Sequence, residues 1–222
     1  MKPTYPFWIA GKPVTSDVIA DVKHPTGELV AQHYVPTDVD VERAIAEAWA
    51  VRHEAATTSA ATRAAALMHV SQQLQVRHEE VARIITDEGG KPLMWSRVEV
   101  NRAISTFRWA AEEARRFAGE LQRIDTDPTS AGRIGVIRRF PLGPVLGIAP
   151  FNFPLNLVAH KVAPAIAVGA PIVVKPAAAT PISSLILGEL LSETDLPEGM
   201  WSFLPMSREA TSRITTDLSL IH

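Results

Sequence analysis

Residues 143–181 read GPVLGIAPFNFPLNLVAHKVAPAIAVGAPIVVKPAAATP, and the order of apolar runs and breakers in them decides the fold. Val145–Ala149 is a short apolar run closed by Pro150, and Ile172–Lys175 is a second one closed by Pro176. Between them, residues from about 154 to 169 carry apolar side chains at helical spacing. Further on, 181–193 reads as helix, Trp201–Leu204 as strand, 207–215 as helix and Leu218–Ile221 as the start of another strand. Short strands alternating with helices specify parallel strands joined by crossovers. The expected fold class is α/β, with an incomplete doubly wound parallel sheet. Ligands of such sheets bind beyond the carboxyl ends of the strands, which puts Phe151-Asn152-Phe153 and Lys175 at one crevice. Each polar residue has two readings at this point. Asn152 is either a helix N-cap, a role asparagine fills well, or an amide offered to a ligand. Lys175 is either a solvated strand-end lysine or a ligand contact.

Upstream, Arg133–Phe140 pairs with the strand before the turn Asp127-Pro128-Thr129-Ser130-Ala131-Gly132, and Pro141 ends the ribbon. A long helix is expected over about 94–118, closed by Gly119. Its core stripe is Val100, Ala103, Ile104, Phe107, Ala110, Ala111, Ala114 and Phe117. Trp95, Val98, Arg102 and Trp109 flank that stripe. Residues 60–87 read as one helix stopped by Gly89-Gly90-Lys91-Pro92, and Thr37 to Asp40 caps another over 40–53. Residues 7–36, with their turn signals, read as a small antiparallel hairpin system. The chain thus divides into 1–120 (hairpins and helices), 121–140 (a protruding ribbon) and 141–222 (the first βα units).

The composition excludes several functions. The 222 residues are 46% hydrophobic and 21% charged, with 22 basic against 24 acidic residues, a formal charge of −2. That balance gives no electrostatic reason to expect nucleic acid or an acidic membrane as partner. There is no cysteine, so this chain offers no disulfide, thiolate metal site or cysteine nucleophile. Its seven histidines are scattered, and no metal is expected. No window reaches the ~18 apolar residues of a spanning helix, and the amino terminus does not read as a secretory signal. A cytoplasmic protein is expected.

As a string, the stretch resembles the NAD(P)-dependent aldehyde dehydrogenase superfamily. The family hallmark Pro-(Phe/Trp)-Asn-(Phe/Tyr/His)-Pro stands at Pro150–Pro154, its Lys-x-x-Pro-Ala-(Leu/Ile)-Ala at Lys161–Ala167, its Lys-Pro strand end at Lys175-Pro176 and its Thr-Pro at Thr180-Pro181. Earlier matches are Gly27-Glu28, Glu88 to Leu93, Phe107 to Ala111 and Gly119-Glu120. The resemblance covers essentially the whole chain.

In that family a cysteine thiolate attacks the aldehyde, hydride passes to NAD(P)+ and water hydrolyses the thioester. The resemblance makes Asn152 the amide that steadies the oxyanion. It makes Lys175 the lysine at the adenosine ribose, and Ala149, Pro150 and Phe151 the lining of the ribose and pyrophosphate groove. Many NAD-preferring members carry glutamate where Ala178 stands here. Alanine removes the repulsion of a 2′-phosphate, which implies NADP alongside NAD. Phe153, Leu157 and His160 fall at substrate-pocket positions, as does Arg102, whose other reading is a surface helix arginine. Arg102 with His160 implies an aldehyde carrying carboxylate, phosphate or hydroxyls, such as succinate semialdehyde, lactaldehyde or a phosphorylated aldehyde. The ribbon implies a homodimer or homotetramer for the full-length parent. The family's nucleophile, general-base glutamate and glycine-rich pyrophosphate loop would all lie after Leu218, so the chain by itself is expected to be inactive. The alternative is a non-catalytic cofactor-binding or interaction module.

Overall fold

The computed structural model of the chain describes residues 2–216. Strands β1 (Thr4–Tyr5), β2 (Phe7–Ile9), β3 (Lys12–Val14), β4 (Ile19–Lys23) and β5 (Leu29–Tyr34) come first. Helices α1 (Asp38–Thr57), α2 (Ala60–Val76), α3 (His78–Gly89) and α4 (Leu93–Arg116) follow. Strands β6 (Glu120–Arg123) and β7 (Ile134–Ile137) pair as an antiparallel ribbon. The remainder alternates as β8 (Val145–Ile148), α5 (Asn156–Val168), β9 (Ile172–Lys175), α6 (Ile182–Ser192), β10 (Trp201–Phe203) and α7 (Arg208–Ile214). The strand expected at Leu218–Ile221 lies outside the described residues.

β8, β9 and β10 run parallel, with Val145 opposite Ile172, Ile148 opposite Lys175 and Phe203 opposite Val174. Ile172, Val173 and Val174 are all buried, the mark of a strand covered on both faces. Both α5 and α1 pack against β9. Helices α2, α3 and α4 pack against one another and against α5 and α6, with Leu67, Leu74, Ile85 and Phe107 fully buried among them. Gly169 ends α5 with φ 81°. A Cβ there would stand 2.7 Å from the Ala55 carbonyl oxygen of α1, so the turn into β9 needs glycine for space as well as conformation. No described helix is long and apolar enough to cross a membrane.

Three expectations change. Residues 7–36 do not form one hairpin system. The β2–β3 hairpin joins the large sheet through β2, antiparallel to β10 with Trp8 opposite Phe203, while β4, β5 and β1 form a separate three-stranded sheet. The reason lies in Phe7-Trp8-Ile9, where all three side chains are buried; a strand without a polar face belongs inside a covered sheet. The helix expected over 60–87 is two helices that break at Arg77 (φ −92°, ψ 19°). Arg77 bonds Glu80 and Glu189, and Glu79 and Glu80 begin α3, where the helix dipole favours acids. Finally, α4 stops at Arg116, so Phe117 leaves the core stripe and is 42% exposed.

Candidate functional site

The parallel register places the first group of residues. Ile148 faces Lys175, and the Ala149 N–H donates to the Lys175 carbonyl at 3.0 Å. Ala149, Pro150 and Phe151 therefore share one carboxyl edge with Lys175, and Ala178 lies exposed three residues beyond it. Phe151 is 67% exposed there. The adjacent strand β10 leads to Arg208, the exposed first residue of α7. Partial burial, and after it the charge of Arg208, hold the Lys175 ammonium below its usual range. Among the described residues neither cation has an ion-pair partner. Sequence reasoning missed Arg208, because only the order β9–β10 brings it to Lys175.

Asn152 sits in the bend between β8 and α5, exposed, and its side-chain amide has no hydrogen bond among the described residues. It is not the N-cap, since α5 begins four residues later at Asn156. Glu99 of α4 does the capping instead. Its fully buried carboxylate accepts the N–H of Leu155 at 3.0 Å and of Asn156 at 3.1 Å through Oε1. Its Oε2 pairs with the Lys91 ammonium, which also donates to the Asn152 carbonyl at 2.6 Å. Glu88 repeats the device one helix on, accepting the Ile182 N–H at 2.7 Å and the Ser183 N–H at 3.2 Å at the start of α6. Neither glutamate was read as a site residue from the sequence.

The second group lies between α4 and α5. Arg102 and His160 line a common groove of about 570 Å³ with Thr106, Trp109, Phe117 and Pro164. Arg102 has no ion pair among the described residues; its guanidinium lies 5.6 Å from the centre of the Phe153 ring, whose neighbour on the same ring is the Lys91 ammonium at 4.0 Å. Phe153 itself does not line the groove; Arg102, which does, stands between the groove and the Asn152 bend. Leu157 is half-buried and does not line it.

A model of the aldehyde dehydrogenase family matches residues 8–220. The chain belongs to the aldehyde dehydrogenase family. It is 41% identical over 174 residues to 3-sulfolactaldehyde dehydrogenase of Priestia aryabhattai, a match over 78% of this chain and 36% of that protein. Aldehyde dehydrogenase 21 from Physcomitrella patens, solved with the reaction product succinate, superposes with a TM-score of 0.95 at 44% identity, over 99% of this chain and 46% of that one. The NADP-dependent glyceraldehyde-3-phosphate dehydrogenase of Bacillus halodurans, solved with NADP, gives 0.91 at 26% identity, over 98% and 47%. The chain therefore spans between a third and a half of these aldehyde dehydrogenases.

Proposed function

We propose that this chain is the cofactor-side portion of an aldehyde dehydrogenase that oxidises an anionic aldehyde to the carboxylate and accepts NADP as well as NAD. The observation that carries this reading is a set of polar groups without ion pairs on one side of the chain: Lys175 at the end of β9, Arg208 at the start of α7 beyond β10, the free amide of Asn152 after β8, and Arg102 of α4 beyond Phe153. Three like charges fit a ligand that is anionic at both ends; Glu113, the one acid among the described residues of the groove wall, is paired with Arg116 at 3.0 Å.

The strand edge fits the adenosine side of a dinucleotide. Ala149 is small and buried, Pro150 and Phe151 offer an apolar wall, and the exposed Ala178 puts no acid beside a 2′-phosphate. Lys175 would meet the ribose, and Arg208 beside it would meet the 2′-phosphate. NADP+ supplies the hydride acceptor when bound. The chain's own part in the chemistry is the Asn152 amide, whose N–H donates to the oxygen of the aldehyde as it gains negative charge; such a donor is typically worth about 3 kcal/mol. With no cysteine here, an attacking thiolate would come from residues outside these 222. His160 and Arg102 receive the anionic end of the substrate, with Trp109 and Phe117 as apolar walls. The compounds named for the three relatives above support the anionic class: 3-sulfolactaldehyde and glyceraldehyde-3-phosphate in two names, and succinate as the product bound in the third.

We read residues 1–120 and 141–222 as parts of one cofactor-binding unit and 121–140 as an oligomerisation ribbon. Leu121, Ile134 and Val136 are between 61% and 73% exposed on that ribbon, more apolar surface than two solvated strands would hold without a partner. This surface supports reading the full-length protein as a homodimer or homotetramer.

The test is Arg102→Ala in the full-length protein. A charge-assisted contact of about 1.5–3 kcal/mol raises KM for an anionic aldehyde about 10- to 150-fold and leaves a neutral aldehyde of equal length unchanged. Equal rises for both would remove Arg102 from the substrate site. A folded full-length protein inert towards every aldehyde would favour the non-catalytic module instead.

A further inference from the structure

The bend that carries Asn152 has no cap of its own: Leu155, at the N-cap of α5, makes no side-chain capping bond. Its backbone is held from elsewhere, by Ser184, whose Oγ donates to the Pro154 carbonyl at 3.1 Å, and above all by one ion pair with a fully buried carboxylate. Glu99 accepts two amides, those of Leu155 and Asn156. Lys91, from the turn between α3 and α4, pairs with Glu99, donates to the Asn152 carbonyl at 2.6 Å and stands 4.0 Å over the Phe153 ring. Of the five residues 152–156, four are gripped by this one carboxylate and one ammonium.

A serine or aspartate at position 155 would cap α5 locally. A carboxylate 56 residues away, with no exposed surface and an ammonium for company, is an expensive substitute, since both charges leave water. What the pair provides that a local cap lacks is a fixed distance between α4 and the backbone of residue 152. Donors to a developing oxyanion act only when held in place beforehand, and a displacement of about 1 Å can lower a rate about a hundredfold.

We propose that Lys91 and Glu99 are positioning residues for the Asn152 amide. This rests on the reading of Asn152 as the oxyanion donor. Lys91 releases the Asn152 carbonyl when replaced by methionine; Glu99→Gln keeps an acceptor for the two amides but drops the charge that anchors Lys91.

Two measurements test it. Hydrogen exchange in this chain, followed by mass spectrometry on a peptide spanning 150–160, reads the clamp itself. Lys91→Met and Glu99→Gln are expected to speed exchange there about tenfold or more, whereas Glu88→Gln, which acts first on the start of α6 and reaches this peptide only through Ser184 and Thr180, is expected to speed it less. Steady-state kinetics of the full-length protein read its purpose. Lys91→Met is expected to lower kcat about 10- to 100-fold with KM for the cofactor unchanged, and Lys91→Arg to restore most of it. In an Asn152→Ala background the same substitution should cost almost nothing more, because the group it positions is gone. Unchanged exchange, or losses from Lys91→Met and Asn152→Ala that simply multiply, would overturn the proposal. A wild-type enzyme with no aldehyde activity would overturn the role given to Asn152, and with it the clamp's purpose, while the exchange data still judge the clamp.

Discussion

Replacing Glu88 by glutamine should flatten the pH dependence of folding stability between about pH 5 and about pH 7. Glu88 is 2% exposed, and burial pushes its carboxyl from 4.5 up to about 7; hydrogen bonds from Ser183 and Ile182 work against the shift, and the charge of Glu99 adds to it. Below pH 4.5 the acid is protonated in both folded and unfolded chains, and its contribution is fully present. Between 4.5 and about 7 the unfolded chain has released the proton and the folded one has not, so each pH unit lowers stability by about 1.4 kcal/mol. The loss accumulates to about 3 kcal/mol and then stops, once the folded state titrates too. Glutamine keeps an oxygen to accept from Ile182 or Ser183 but cannot titrate. Urea midpoints followed by circular dichroism across this range, for both proteins, isolate Glu88. Other groups cancel in the difference, including His33, whose burial-lowered pKa gives a slope of opposite sign. The wild type should lose about 3 kcal/mol more than the variant from about pH 5 to about pH 8. Curves parallel to within about 0.5 kcal/mol would show that the Glu88 carboxyl is not raised by folding.

Arg208→Ala in the full-length protein should weaken NADPH binding about 10- to 150-fold by calorimetry, with NADH unchanged, since a charge-assisted bond to a phosphate contributes about 1.5–3 kcal/mol; equal losses would take Arg208 off the 2′-phosphate. Gly188→Ala should destabilise the fold by about 1–3 kcal/mol in urea titration despite alanine's better helix propensity, because its Cβ would meet the buried Trp8 indole Cγ at 2.6 Å. Leu121→Asp with Val136→Asp should turn an oligomer into a monomer in light scattering, while stability of the subunit changes by less than about 0.5 kcal/mol. An unchanged mass would place the interface elsewhere.

The parallel strands at 145–148 and 172–175 were legible because each is a short apolar run closed by proline, and their register brought Ala149 and Lys175 together as the strand-end argument requires. The groove residues Arg102 and His160 were legible only through resemblance; periodicity alone left Arg102 a surface arginine. What stayed hidden are contacts across long separations. Glu99 looks like one more charge on a helix, yet it is fully buried because it caps a helix 56 residues away, and Glu88 does the same over 94 residues. Asparagine's local preference for capping left two readings of Asn152 open for the same reason: the cap comes from another helix. Arg77 could not be seen as a break, since its partners Glu80 and Glu189 are split between its own helix pair and α6.

The most direct test of the account is NADP+ reduction by the full-length protein given succinate semialdehyde, beside butanal, which has the same carbon chain without the carboxylate. Turnover of the first is expected with kcat/KM at least about tenfold above the second, and Asn152→Ala is expected to lower kcat by about 10²–10³. Equal rates with both aldehydes, or an Asn152→Ala variant as active as the wild type, would contradict the proposed function.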